Sequence, residues 1–164
     1  MNDKSLTDGV KFAMLRNISS RFKYSCFVNI VEEMELNLYP ESQRSVLFDL
    51  LSYANKIELN RLVLTTHSPY VINYLTLAAK AFLLTQKISA NETLQERIKE
   101  VVPADSAIDP ARLRIYELKD GGVFRLSTYE GLPSDENFLN IQLGVTNELF
   151  DQLLEIEQEF DYKN

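Results

Sequence analysis

Helix-like and strand-like hydrophobic patterns alternate through the first half of the chain. Residues 8–21 carry apolar side chains at helical spacing, and Thr7 or Asp8 is a suitable N-cap. Residues 25–31, SCFVNIV, are a nearly unbroken β-prone run, which predicts a strand covered on both faces as in a parallel sheet. Residues 41–56 place five apolar side chains on one helix face, directly after Pro40, which suits a helix start.

The next segments continue this alternation. Residues 61–66, RLVLTT, predict a second short strand, and residues 70–86 predict a helix after it. The order helix, strand, helix, strand, helix predicts an α/β fold with a mainly parallel sheet and crossover helices.

The second half of the chain is less regular. Residues 92–101 predict a helix within a stretch that otherwise indicates loop. Residues 113–118 and 123–127 flank an Asp-Gly dipeptide and predict a β-hairpin. We expect a loop over residues 129–135 and one or two acidic amphipathic helices over residues 138–160.

Composition narrows the possible partners and setting. The 164 residues, 45% of them hydrophobic, suffice for a domain with a core, and a net charge of −7 disfavours binding of nucleic acid or anionic membrane by this segment alone. Cys26 is the single cysteine, so we expect no internal disulfide and a buried thiol. No apolar stretch is long enough to span a bilayer, and no signal peptide pattern is visible; the sequence predicts a cytoplasmic protein with no membrane partner.

Two adjacent carboxylates, Glu32 and Glu33, end the first predicted strand. Ligands bind at that edge of open parallel sheets. Two acids there can divide the work of phosphoryl transfer, one on the Mg²⁺ side and one orienting and deprotonating the attacking water. The alternative is that the strand simply leaves the core and meets solvated charges.

The longer string over residues 31–43, VEEMELNLYPESQ, resembles the Walker B strand and following loop of AAA-type ATPases built on the ATP-binding-cassette fold. These include relatives of the overcoming-lysogenization-defect nucleases, where the segment typically has the sequence I-E-E-P-E-x-x-L-H-P-x-x-Q. The resemblance implies a Mg²⁺-side role for Glu32 and a water-activating role for Glu33. Further positions match at Glu35, Leu38, Pro40 and Gln43, whereas Asn29, Met34 and Tyr39 depart from the pattern.

The only histidine, His67, follows the second predicted strand in the string TTHSP over residues 65–69. This string is similar to the switch motif of the same ATPases, T-T-H-S-P-x-x-I, and Ile72 also fits. The resemblance implies that the imidazole contacts the γ-phosphate of ATP. The alternative is a polar strand terminus that finds an ordinary hydrogen-bond partner.

A third string, LTDG over residues 6–9, is similar to the cassette signature L-S-x-G. The resemblance implies that Thr7 and Gly9, at a helix N-terminus, bind the nucleotide of a partner subunit in a head-to-tail homodimer in the ATP state. An ordinary N-cap is an equally good interpretation.

The phosphate-binding motif G-x-x-x-x-G-K-[ST] does not occur in this sequence. Without its backbone amides and lysine, we expect no tight ATP binding or turnover by the chain alone. The leading hypothesis is a partial P-loop NTPase fold, a fragment or split-gene product that uses ATP and Mg²⁺ only with a Walker A-containing N-terminal segment or subunit. Residues 1–87 would be the motif-bearing half and residues 88–164 a C-terminal extension packed on the same domain.

The alternative function is a catalytically inert interaction or regulatory module that keeps the ATPase fold. The missing phosphate loop favours it, together with Met34, Tyr39 and Asp8, which differ from the family pattern.

Overall fold

The structure, a computed structural model, describes residues 26–163. The chain divides into two compact units after Pro110, and each is described by itself. The helix predicted over residues 8–21 lies outside the described residues, as do Thr7 and Gly9.

The first unit contains the predicted parallel pair. Strand β1 (Val28–Val31) lies beside β2 (Arg61–Leu64) in parallel register. Helix α1 (Pro40–Asn55) connects the two strands, and helix α2 (Pro69–Lys87) follows β2. Each helix begins with a proline, whose fixed φ suits the first helical turn. The strand, helix, strand, helix order predicted from the sequence is therefore confirmed.

The core of the first unit lies between α1 and α2. Leu47 of α1 and Val71 of α2 are fully buried, and Phe48 meets Tyr74 edge to face. Other apolar side chains of the two helices complete this core: Leu50, Leu51, Ile72, Leu75, Ala78, Ala79 and Ala81. Burial of this apolar face, rather than helix propensity, accounts for most of the stability of such helices.

One prediction about the first strand is wrong for the described residues. Val28, Ile30 and Val63 are exposed, whereas their neighbours in each strand are partly buried. Within residues 26–163, only one face of the pair is covered. Cys26 is also exposed rather than buried, because it lies before the start of β1.

Residues beyond α2 complete the first unit. Helix α3 (Glu92–Val101) begins at Asn91, whose side chain accepts a hydrogen bond from the Leu94 backbone N–H, and this helix was predicted. The Gln95 side-chain amide donates to the Thr85 and Ile88 carbonyls, so α3 is joined to the end of α2. A short 3₁₀ turn follows at Ala104–Ser106, and a second one, Pro110–Arg112, begins at the last residue of this unit. The functional division at residue 87 stays a prediction.

The second unit begins with two hairpins. Strand β3 (Tyr116–Lys119) pairs with β4 (Gly122–Arg125) around Asp120 and Gly121, both at positive φ, which confirms the predicted hairpin. Strand β5 (Thr128–Tyr129) pairs with β6 (Leu132–Pro133) around Glu130 and Gly131, also at positive φ. The loop predicted there is wrong, because Glu-Gly makes the same kind of tight turn as Asp-Gly.

The second unit ends in one long helix, α4 (Phe138–Lys163). Its first turn is capped by Asn137, which accepts from the Asn140 N–H, and by Glu117, which accepts from the Phe138 N–H. The described residues thus form a mixed α/β structure in which β1 and β2 are the parallel strands. Among the helices described, none combines the length and apolar character needed to cross a bilayer.

Candidate functional site

The ends of β1 and β2 bring Glu32, Glu33 and His67 to one edge of the parallel pair. Val31 and Leu64 are register partners, and the Thr65 N–H donates to the Val31 carbonyl at 3.1 Å. Glu32 and Glu33 therefore leave the sheet at the same edge as the segment that carries His67. This is the carboxyl edge, where open parallel sheets bind ligands.

Glu33 has left-handed backbone geometry, with φ 45°. This conformation costs a residue with a side chain about 1–2 kcal/mol, and it persists only where the surroundings hold it. Here the Glu33 N–H donates to both the carbonyl (3.0 Å) and the hydroxyl (3.1 Å) of Thr65. Glu32 and Glu33 themselves lie beyond β1, which ends at Val31.

The side chains of Glu33 and His67 meet at this edge. The Glu33 Oε1 atom lies 3.7 Å from Nε2 of His67, and the two side chains are 44% and 82% exposed. At this distance the pair is in contact range but is not a direct hydrogen bond. Both groups are thus adjacent and open to a ligand.

Glu35 fixes the backbone of the histidine segment. Its carboxylate accepts hydrogen bonds from the Thr66 hydroxyl (2.9 Å) and from the His67 N–H. The Thr66 hydroxyl oxygen in turn accepts from the Ser68 N–H at 3.0 Å. In the sequence, Glu35 stands out only as a match to the family pattern over residues 31–43. Its contact with the TTHSP segment over residues 65–69 is visible only in the structure.

A buried polar pair links the starts of α1 and α2. The Ser68 hydroxyl donates to Oε1 of Gln43 at 2.6 Å, and the Gln43 amide donates to the Leu38 carbonyl at 3.0 Å. Both side chains are buried, so each needs these partners. Gln43 thereby joins the loop after β1 to the loop after β2.

The three departures from the family pattern occupy different environments. Met34 is buried and contributes to the core, whereas Tyr39 is 72% exposed just before α1. Asn29 is partly buried within β1. All three departures leave the two carboxylates, Glu32 and Glu33, present in the sequence.

Glu32 and Glu33 are the carboxylates at this edge that could hold a metal ion. Within residues 26–163, no three His, Cys, Asp or Glu side chains converge on a common point. Mg²⁺ commonly takes only one or two carboxylates from a protein and completes its octahedron with phosphate oxygens and water. Glu32, which is exposed, and the partly exposed Glu33 could supply such ligands.

Comparison with known proteins gives one match. Residues 28–73 match the family model described as "AAA domain, putative AbiEii toxin, Type IV TA system". The match supports a P-loop ATPase-like domain. The matched residues run from β1 to the first turns of α2 and include both carboxylates and His67. No curated protein and no solved structure matches the chain significantly.

The family match also suggests an ATPase-like function at a coarse level. It covers well under half of the chain and none of α3, the hairpins or α4.

Proposed function

We propose that this chain supplies the hydrolytic edge of a cassette-type ATPase site, completed by a Walker A-containing segment or subunit. In this proposal Glu32 lies on the Mg²⁺ side, Glu33 orients and deprotonates the attacking water, and His67 contacts the γ-phosphate. ATP with Mg²⁺ would supply the phosphoryl group and the charge neutralisation.

The observation that carries the proposal is the 3.7 Å approach of Glu33 to His67 at the carboxyl edge of two parallel strands. A base and a phosphate-contacting group must reach the same reacting centre, and these two groups can do so without rearrangement of the strands. The partial exposure of both side chains leaves room for a ligand between the chain and a partner.

The residues around this pair would act by positioning it. Glu35 holds the backbone at His67, while Thr65 holds the backbone at Glu33. The Gln43–Ser68 pair ties the two loops to the buried starts of the helices. Preorganisation of this kind matters because phosphoryl transfer depends mainly on positioning and electrostatics.

The proposed site needs more than the described residues. The phosphate loop has to come from another segment or subunit, since its motif is missing from this sequence. Thr7 and Gly9 would complete the site of a second subunit, so the ATP-bound state would be a head-to-tail homodimer of the completed ATPase.

The test is an ATPase assay on the chain assembled with its Walker A-containing segment, comparing wild type with Glu33→Gln. We expect Glu33→Gln to lower turnover by about 10²-fold or more, the usual contribution of a general base, while nucleotide binding persists and the dimer is trapped. Glu41→Gln, which changes an exposed carboxylate in the first turn of α1, is the matched control and should hydrolyse normally. Unchanged turnover in Glu33→Gln would remove Glu33 from this role.

A second function, an inert interaction module with an ATPase fold, is favoured by the absence of the phosphate-loop motif and by Met34 and Tyr39. For an inert module, the assembled wild type would itself show no ATP hydrolysis above background although it remains folded, whereas hydrolysis that is equal in wild type and Glu33→Gln would rule out only the role of Glu33. The same assay therefore separates the two functions.

A further inference from the structure

The segment that follows α3 contacts both long helices of the first unit. Residues 102–108, here called the strap, include the turn Ala104–Ser106 and two almost fully buried side chains, those of Val102 and Ser106. The strap lies outside residues 28–73, which match the family model. Any part that the strap has in the site is therefore not implied by that match.

Side-chain hydrogen bonds attach the strap to α1. The Ser106 hydroxyl donates to the Phe48 carbonyl at 2.8 Å, and the Ser52 hydroxyl donates to Oδ2 of Asp105 at 2.6 Å. The Asn55 amide donates to the carbonyl of Asp105 and to one further strap carbonyl, at 2.8 and 2.9 Å. These bonds hold the second half of α1, up to its last residue.

The strap is also bonded to α2. The Ile108 N–H donates to the Ala78 carbonyl, in the middle of α2, at 3.2 Å. The two helices are therefore joined at two places, through the strap and, at their starts, through the hydrogen bond between Ser68 and Gln43. Two attachments fix the angle between two helices as well as their separation, whereas one attachment leaves the angle free.

Both helices begin at the candidate site. Helix α1 starts at Pro40, in the loop that follows Glu33, and α2 starts at Pro69, directly after the segment that carries His67. Phe48 lies about 12 Å along α1 from Pro40 at the usual helical rise. Because a helix bends only slightly over this length, a change of angle at the strap would move the two loops relative to each other.

We propose that the strap is a positioning element of the ATPase site, which sets the approach of Glu33 to His67 by fixing the angle between α1 and α2. The catalytic part of this inference rests on the proposed function, whereas the effect on His67 does not. Asn55 and Ser106 are positioning residues, since they act through the helices. A misplacement of about 1 Å can slow a reaction by about 10²-fold, so small changes of angle matter.

The first test detaches the strap in the full chain and follows the single histidine, His67, by NMR. Asn55→Ala removes two hydrogen bonds to the strap, and Ser106→Ala removes one to α1. We expect the imidazole resonance to shift in both variants, because the ring lies beside a carboxylate and senses its distance. An unchanged resonance in both folded variants would overturn the proposal.

Thr76→Ala is the matched control for both substitutions. It removes a hydroxyl that donates to the Ile72 carbonyl at 3.1 Å, a bond of the same kind that lies within α2 and does not involve the strap. The His67 resonance should stay at its wild-type position in this variant. A shift as large as that in Ser106→Ala would also overturn the proposal, because it would assign the effect to general destabilisation.

The second test measures the kinetics of the assembled ATPase. Asn55→Ala and Ser106→Ala should lower kcat by about tenfold, with KM within about twofold of wild type, because positioning acts on the chemical step. Wild-type kcat in both folded variants would overturn the proposal. A wild type without hydrolysis would instead count against the proposed function, and the His67 resonance would then decide on the strap.

Discussion

The carboxylate of Glu35 holds the backbone of His67, although the two residues belong to different loops. One oxygen accepts from the His67 N–H and the other from the Thr66 hydroxyl. Hydrogen bonds to an ionised acceptor are stronger than neutral ones. The position of the imidazole beside Glu33 therefore depends on a side chain from the loop after β1.

Glu35→Gln should weaken the hydrogen bonds that residue 35 accepts from the Thr66 hydroxyl and the His67 N–H. The amide keeps one acceptor oxygen and loses the charge, so we expect a loss of about 1–3 kcal/mol in the free energy of unfolding. Amide hydrogen exchange at His67 should also become faster. Denaturant titration and exchange measurements on the same sample check both effects.

Glu100→Gln is the control for that substitution, because it changes an exposed carboxylate of α3. It should leave the unfolding free energy and the His67 exchange rate unchanged. Equal exchange rates at His67 in wild type and Glu35→Gln would contradict the positioning role.

Substitutions of the buried Gln43 and Ser68 should have non-additive effects on the free energy of unfolding. Ser68→Ala leaves the Gln43 oxygen buried without its donor and should cost about 1–3 kcal/mol. Gln43→Leu should cost a similar amount, and the double variant less than the sum of the two, with a coupling of about 0.5–3 kcal/mol. Additive effects in denaturant titrations would show that the two side chains act independently. Ser45→Ala, at an exposed hydroxyl on α1, is the control and should have little effect.

Asp49 should make stability depend on pH. Partial burial of its carboxyl, although the residue as a whole is exposed, and then repulsion from the nearby Asp105 raise the pKa of this group above the ordinary value of 3.8. A raised folded-state pKa means that the contribution of Asp49 is most favourable below pH 3.8 and is lost as pH rises through the raised value. At neutral pH the ionised side chain therefore opposes folding.

Asp49→Asn should raise the melting temperature at pH 7, and the gain should vanish below about pH 3.8. The residue is well exposed, so solvent screening keeps the gain below about 1 kcal/mol. Melting curves of both proteins across this range measure the difference. If the rise in melting temperature stays constant down to acidic pH, ionisation of Asp49 is not its cause.

Alanine substitutions at two glycines with open space around them should change local stability in opposite directions. A Cβ added at Gly144 or at Gly121 meets no atom within 4 Å, but Gly121 has φ +74°. Gly144→Ala should stabilise α4 by about 1 kcal/mol through helix propensity. Gly121→Ala should destabilise the β3–β4 hairpin by about 1–2 kcal/mol because its backbone is left-handed. Local hydrogen exchange in each element measures the effect, and equal signs for the two would refute this explanation.

Much of the local structure could be predicted from the sequence. The alternation of β1, α1, β2 and α2, the helix α3 and the Asp-Gly hairpin all depend on patterns within short windows, where hydrophobic period and turn residues act directly. The second hairpin was missed, although Glu130 and Gly131 carried a weaker form of the same turn signal. The exposed face of β1 was also missed, because a run of apolar residues does not reveal what packs against it.

The sequence by itself determined which residues are available at the candidate site, since Glu32, Glu33 and His67 each follow a strand in short strings similar to known motifs. The tertiary structure decided which of them meet. The contacts of Glu33 with His67, Glu35 with Thr66, and Gln43 with Ser68 join residues 25 or more positions apart, because parallel pairing brings both strand ends to one edge. Such contacts depend on strand register and helix packing, which no single segment encodes.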